Sequence, residues 1–428
     1  MWYLLLFMQI IVFIIELVLT FFVGYLLLLT LVAWLVSRKA EATVAEPTHR
    51  FLILIPAHNE ERLLPDLLKN LKQINYPFHL FSIHVVADNC TDKTAVIAQQ
   101  HHAIPHERFD ANRPGKGFAL QWFLQNFWHD ITSHDAIVML DADTIVSPNF
   151  LQAMSARLTN GEQVIQAYYA VRNPEKTWGI SLRYAALAVL HYLRPLGRTR
   201  LGGSAGLKGN GMVFTTDVMQ QYEWSDSITE DIEFHMALIL GGERVTFAPE
   251  AVIWAEMPET LAGAATQNVR WERGRLQMMR LYVPRLLKAA GSTVRHRHFS
   301  RTYLLLDAVM EHLIPPFSVL AALTGFCVLF SALGLALGSF FPVTGLPETA
   351  VVSLNNLLSI NFWLGMGLIV GQAIYLLTGL YLVQAPKSVY LALARSPIFV
   401  VWKIWHYLRV LLGLDSNEWI RTTRNTEV

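Results

Sequence analysis

The 428-residue chain is 53% hydrophobic and only 16% charged, with a net charge of +1 and a positive mean hydropathy. It is too apolar for an ordinary soluble enzyme and too charged in its middle for membrane spans alone. Near-neutrality excludes an electrostatic case for nucleic acid. Two lone cysteines, Cys90 and Cys327, give no disulfide framework and suit a reducing compartment for the middle of the chain.

From Met1 to Val36 the only charged residue is Glu16. At ~1.5 Å per residue this run exceeds the ~30 Å hydrocarbon core, so residues 1–36 are predicted to form an N-terminal transmembrane segment. It has no basic start and is too long for a cleaved signal peptide. Arg38 and Lys39 follow directly and place that end inside. Glu16 reads as a residue near the outer interface, with a functional intramembrane carboxyl as the alternative.

Residues 50–290 read as a cytosolic α/β domain. FLILIP (Phe51 to Pro56) is a short apolar run closed by Pro, a buried-strand signal. ERLLPDLLKNLKQI then spaces Leu63, Leu64, Leu67, Leu68 and Leu71 at helical intervals. FSIHVVAD (Phe81 to Asp88) is the next strand, and Thr91 or Asp92 caps the helix after it. AIVMLDAD (Ala136 to Asp143) repeats the pattern. Strands alternating with helices predict βαβ units and a parallel sheet, with ligands at the carboxyl ends of the strands. Asp88, Asp141 and Asp143 stand at those ends.

Residues 303–414 return to the membrane. Pro316 to Phe340 and Leu357 to Val383 are each long enough to span. Tyr303 to Ile314 is assigned to the interface. Ser388 to Leu414 carries Arg395, Lys403, His406 and Arg409 among apolar residues and reads as an interfacial amphipathic helix. Three spans put the central domain and the tail, residues 415–428, on the same cytosolic face.

Several short segments could carry chemistry, each with an ordinary explanation beside it. Two carboxylates around one small residue, Asp141-Ala142-Asp143, can hold a divalent cation against phosphate, or simply close a strand. Asp88 faces the same crevice, or forms an Asx-turn. Lys116 lies in a Gly-flanked turn opening a helix, which suits a phosphate and equally a solvated loop. LGGSAGLKGNGM (Leu201 to Met212) allows close backbone approach to a ligand, or is a flexible turn. SITEDIEF (Ser227 to Phe234) puts Thr229, Glu230 and Asp231 at a helix start, as caps or as a general base. Finally, ATQNVRWERGR (Ala265 to Arg275) gathers cations and Trp271 just before the membrane tail. It is either an interfacial helix or a phosphate site.

The combination and its order resemble the family 2 glycosyltransferases, in particular the membrane-integrated branch with cellulose, chitin and hyaluronan synthases. The matches are IPAHNEE (Ile55 to Glu61), ADNCTDKT (Ala87 to Thr94), GKG (Gly115 to Gly117), DAD (Asp141 to Asp143), TED (Thr229 to Asp231) and QNVRW (Gln267 to Trp271), over roughly Phe51 to Tyr282. WIRTTR (Trp419 to Arg424) resembles the tail of bacterial members. The resemblance implies a GT-A-type nucleotide-sugar-binding domain flanked by N- and C-terminal transmembrane and interfacial helices. It implies that Ala57 and Glu60 border the nucleotide, that Asp88 binds the uracil with Lys116 close by, and that Asp141 contacts the nucleotide. It further implies Asp143, with Asp141, as the holder of Mg²⁺ or Mn²⁺. Asp231, beside Glu230, is then the catalytic base. Gln267, Arg270 and Trp271 form the floor of the acceptor site beside the leaving diphosphate.

His58 stands where Tyr is commoner, and GGSAGLKGNGM departs from the acceptor-side loop of cellulose and hyaluronan synthases, which leaves the acceptor open. The expected activity is inverting, metal-dependent transfer from a nucleotide-sugar, UDP-linked, to a growing β-linked polysaccharide at the cytosolic face of the cell membrane. A lipid acceptor such as a polyprenyl phosphate or ceramide-like glycolipid is the rival. A non-catalytic scaffold or a transporter is disfavoured, because the carboxylates are intact and the spans lack paired charges or repeats. Sugar, linkage and oligomeric state stay open.

Overall fold

The FLILIP run forms β1 (Phe51–Ala57), with Phe51 to Ile55 all fully buried. A strand apolar on both faces belongs in the middle of a covered sheet. β2 (Phe81–Asp88), β3 (Ile104–Arg108), β4 (Ala136–Met139), β5 (Thr144–Val146), β6 (Val164–Val171), β7 (Met212–Thr215) and β8 (Thr246–Ala255) complete one sheet, ordered β3-β2-β1-β4-β7-β6-β8-β5. The computed structural model describes residues 2–37, 46–225, 229–340, 345 and 347–412. Arg38, Lys39, Ser227 and the tail with WIRTTR lie outside the described residues.

The parallel sheet predicted from sequence holds for six of the eight strands, β6 and β8 among them. β3, β2, β1 and β4 are parallel, whereas β7 runs antiparallel to both β4 and β6, and β5 antiparallel to β8. After β6 the chain leaves through α7 (Trp178–Ala188), a π-helical turn and α8 (Arg194–Arg200), then re-enters at the same end of the sheet. A connection that returns to the end it left makes the next strand antiparallel, unlike a βαβ crossover. The acids of AIVMLDAD also lie past the strand, because β4 stops at Met139.

α2 (Leu64–Leu71) buries Leu64, Leu67, Leu68 and Leu71 against β1, on the face the spacing predicted. α3 (Thr94–Gln100) begins where Asp92 accepts from the Thr94 N–H at 2.9 Å. α4 (Lys116–Asn126), α5 (Trp128–Thr132), α6 (Phe150–Thr159) and α9 (Thr216–Gln221) finish the covering layers. α10 (Glu230–Gly241) and α11 (Leu261–Arg295) carry the TED and QNVRW motifs.

Among the described residues three helices are long and apolar enough to cross a membrane: α1 (Trp2–Ser37), α13 (Phe317–Phe340) and α14 (Glu348–Leu382). Small residues let them approach closely. A Cβ on Gly365 of α14 would lie 2.5 Å from Val328, and one on Gly371 would lie 2.9 Å from Val23. The inner end of α1 is not isolated from the catalytic half, since Leu26, Leu29 and Ala33 join the core containing Phe123 and Phe214.

α12 (Phe299–Leu313), which the sequence assigns to the interface, packs on α11 and anchors a buried ion cluster. Arg198 donates to Asp307 at 2.8 and 3.1 Å, and Asp307 also accepts from the Tyr25 hydroxyl at 2.7 Å and the Ser204 N–H at 3.2 Å. This cluster ties α1, α8, the 201–211 loop and α12 together. The predicted amphipathic stretch is broken into α15 (Lys387–Ala392), a 3₁₀ turn and α16 (Ser396–Leu411). α16 lies against α11, where Lys403 donates to Asn268 at 2.5 Å.

Candidate active site

The parallel strands deliver their carboxyl ends to one crevice. Ala57 ends β1 and is buried, and Glu60 follows in the turn after it, also buried. The His58 ring meets the Asp88 carbonyl at 2.7 Å, so this position ties β1 to β2. Asp88, ending β2, is only 3% exposed. Its carboxylate accepts from Arg108 at 2.5 Å and from the Gly115 N–H at 3.2 Å. Arg108, which the sequence reading missed, therefore fixes Asp88, and Asp88 fixes the turn in front of Lys116.

Lys116 opens α4 and reaches across the crevice to Asp141 at 2.5 Å and to the Gly209 carbonyl. Burial alone would lower its pKa, but Asp141, Glu230 and Asp231 outweigh burial and raise it. The ammonium stays charged at the centre of three carboxylates. The Asp141 N–H donates to Asn210 Oδ1 at 3.1 Å, and the Asn210 amide in turn donates to the Thr144 hydroxyl. The DAD turn is thus braced by the glycine-rich loop, a role with no signal in the sequence beyond that loop's composition.

Asp143 stands two residues further on, half-buried. Among the described residues no group of three or more His, Cys, Asp or Glu side chains could hold a metal ion. One or two carboxylates completed by phosphate oxygens and water is how Mg²⁺ is commonly held at phosphate sites. Asp143 and Asp141 supply hard oxygen donors of that kind, and so fit a metal bridged to a substrate diphosphate.

Asp231 sits at the first turn of α10, over the glycine-rich loop. Gly209 has φ +75, and a Cβ there would lie 3.3 Å from Asp231 Oδ2. Burial raises the Asp231 pKa, against the lowering influence of Lys116 and Lys208. Glu230 beside it is buried, and burial together with the Asp231 charge pushes it up to about 7. Only Asp231 of the two lines the cavity described next.

That cavity, about 390 Å³, runs from Asp231 to residues of α13 and α14 such as Phe317 and Leu376. Trp271 lines it and is 37% exposed. Arg270 makes no hydrogen bond or ion pair among the described residues, whereas Gln267 accepts from Arg183 at 2.5 Å. Gly274 sets the approach of this helix: a Cβ there would lie 2.1 Å from Thr229 Cγ2. Close contact at Gly274 brings QNVRW to the TED turn. The structure thereby puts Asp231 and Trp271 on one cavity, with Lys116 and Asp141 paired on the other side of Asp231, while Gln267 is engaged with Arg183 and Glu230 is buried.

The family model described as "Glycosyltransferase like family 2" matches residues 47–274. A poly-beta-1,6-N-acetyl-D-glucosamine synthase from Staphylococcus aureus is 24% identical over 287 residues, 64% of each chain. A probable glycosyltransferase, YdaM, from Bacillus subtilis is 24% identical over 246 residues, 55% of this chain and 57% of that one. The chain thus spans about three-fifths of these curated relatives. Among solved structures, a mannosyltransferase from Pyrobaculum calidifontis, in complex with GDP-Man and Mn²⁺, aligns over 88% of this chain and 97% of its own, with 15% identity and a TM-score of 0.49. With the family model covering more than half of the chain, the protein belongs to glycosyltransferase family 2, and among its described residues three helices are long and apolar enough to cross a membrane.

Proposed function

We propose that the protein passes a sugar from a UDP-linked donor to a growing β-linked polysaccharide, with inversion, at the cytosolic face of the cell membrane. The observation that carries this reading is Asp231: a carboxylate at the head of a ligand-sized cavity, with Lys116 and Trp271 beside it. In the transfer, Asp231 takes the proton of the acceptor hydroxyl. The acceptor oxygen bonds to the anomeric carbon as the bond from that carbon to the donor diphosphate breaks. The electron pair leaves with the nucleoside diphosphate. Retention would require a second carboxylate as nucleophile at the same carbon, and Glu230 does not line the cavity.

Ala57, Glu60 and Asp88 border the nucleotide in this reading, with Asp88 setting the turn that presents Lys116. Mg²⁺ or Mn²⁺ held by Asp143 and Asp141 supplies positive charge to the diphosphate when bound. Arg270, which makes no hydrogen bond or ion pair among the described residues, pairs with the same diphosphate, and Trp271 offers an aromatic face to the acceptor. Gln267 acts through Arg183. A second reading, transfer to a lipid acceptor, is favoured by the apolar residues of α13, α14 and α16 that wall the far end of the cavity.

The test is to incubate the purified protein with UDP- and GDP-sugars and Mg²⁺ or Mn²⁺, following nucleotide release and product size. Asp231→Asn is expected to abolish transfer and to leave nucleotide binding within a few-fold. A fully active variant removes the base assignment, and a product of one sugar on lipid replaces the polymer.

A further inference from the structure

The cavity below Asp231 contains a cation that the transfer chemistry does not use. Arg194, at the start of α8, is 9% exposed and lines the cavity. Its Nε and Nη2 atoms are buried with no hydrogen-bond partner, and it forms no ion pair among the described residues. Its neighbours explain why. Asp307 is taken up by Arg198. Glu311 forms an ion pair with Arg198 at 2.7 Å and lies 3.8 Å from Lys208. Arg198 and Lys208 balance those two carboxylates, and Arg194 is left over. Its field, with those of Arg198 and Lys208, holds Glu311 well below the usual carboxylate range despite burial.

An uncompensated guanidinium away from water is among the costlier arrangements a protein can hold. It persists where an anion completes it. The walls around it say which anion: Leu190, Ile314, Phe317, Leu376, Phe399 and Val400 are apolar and sit at the ends of the membrane helices or beside them. They offer a bed to hydrocarbon, alongside the polar Lys208, Asp231, His235 and Glu311 that line the same cavity. A guanidinium at this depth, open on its Nε and Nη2 edge, matches two oxygens of one phosphate. Basic pockets between membrane helices near the headgroup level are suited to lipid phosphates for the same reasons.

We infer that Arg194 binds the phosphate head of a membrane lipid lodged in this cavity, its hydrocarbon lying along Leu190, Phe317, Leu376 and Phe399. The lipid completes the charge of the Arg194–Glu311–Lys208 cluster and shapes the acceptor side of the site. The inference shares its cavity with the function proposed above but not its chemistry, so it is tested with no sugar donor present.

The protein is placed in nanodiscs of phosphatidylcholine with and without dioleoyl phosphatidic acid, and bound lipid is counted by native mass spectrometry. One phosphatidic acid is expected to be retained in preference to phosphatidylcholine. Arg194→Gln is expected to lower its apparent affinity at least tenfold, and Lys387→Gln, an exposed cation at the start of α15, to change it less than twofold. In pure phosphatidylcholine, Arg194→Gln should unfold at or above the wild-type midpoint, and phosphatidic acid should raise the midpoint of wild type alone. Equal retention of the two lipids, or retention unaffected by Arg194→Gln, overturns the inference. So does a variant less stable than wild type without phosphatidic acid, because Arg194 is then compensated within the protein. Inorganic phosphate raising the wild-type midpoint through Arg194 where phosphatidic acid fails would mark a free-anion site and overturn the lipid assignment.

Discussion

Glu230 offers the most quantitative handle on this enzyme, because its charge is held where solvation is poor. Its pKa is raised from 4.5 to about 7, first by burial and then by Asp231. An acid whose folded pKa lies above its unfolded one binds extra protons when folded, so stability is greatest at low pH and falls as pH rises from about 4.5 to about 7. The shift of 7 − 4.5 = 2.5, at about 1.4 kcal/mol per unit, puts the loss above pH 7 at about 3 kcal/mol. Glu230→Gln keeps the shape and removes the charge. It should be near neutral at pH 4.5 and stabilising by up to about 3 kcal/mol at pH 8, or roughly 6–12 °C in the midpoint of a domain of this size. Thermal unfolding of both proteins in one detergent, at the two pH values, measures it. An equal difference at both pH values, or no gain at pH 8, would refute the argument that the Glu230 charge is what burial penalises.

Four further outcomes follow from the geometry. The pH profile of kcat/KM should show an acid limb above the ordinary carboxylate range, since burial raises Asp231 and the base must be ionised. Asp307→Ala removes one of the two carboxylates paired with the buried Arg198 and leaves the Tyr25 hydroxyl and Ser204 N–H without their acceptor, and is expected to cost about 3–5 kcal/mol, read by denaturant or thermal unfolding. Gly209→Ala combines a φ of +75 with a Cβ 3.3 Å from the Asp231 carboxylate, and should lower kcat by more than tenfold while nucleotide affinity holds. Gly274→Ala drives a methyl into Thr229, separating Trp271 from Asp231. It should lower kcat and raise acceptor KM together, measured by steady-state kinetics.

Local pattern determined much of this protein. The apolar strands β1 and β2, the leucine face of α2 and the three long apolar helices follow from periodicity and length, although α14 begins at Glu348, well before Leu357, where the sequence reading starts the apolar run. The motif set likewise singled out Asp231 and Trp271, which line one cavity, and Lys116 and Asp141, which pair with each other. What pattern could not determine were contacts between distant segments. The antiparallel β7 depends on a helical excursion returning to the end of the sheet it left, which no local window contains. Arg108 locking Asp88, Asn210 bracing the DAD turn and Arg183 holding Gln267 join residues 20, 69 and 84 positions apart. Burial decides the rest: TED reads as two equivalent acids, and only packing turns Glu230 inward and Asp231 to the cavity. Nor does sequence balance charges. Arg194 is one of many cations until Asp307 and Glu311 are seen to be spent on Arg198 and Lys208, because whether a charge is compensated depends on three-dimensional neighbours alone.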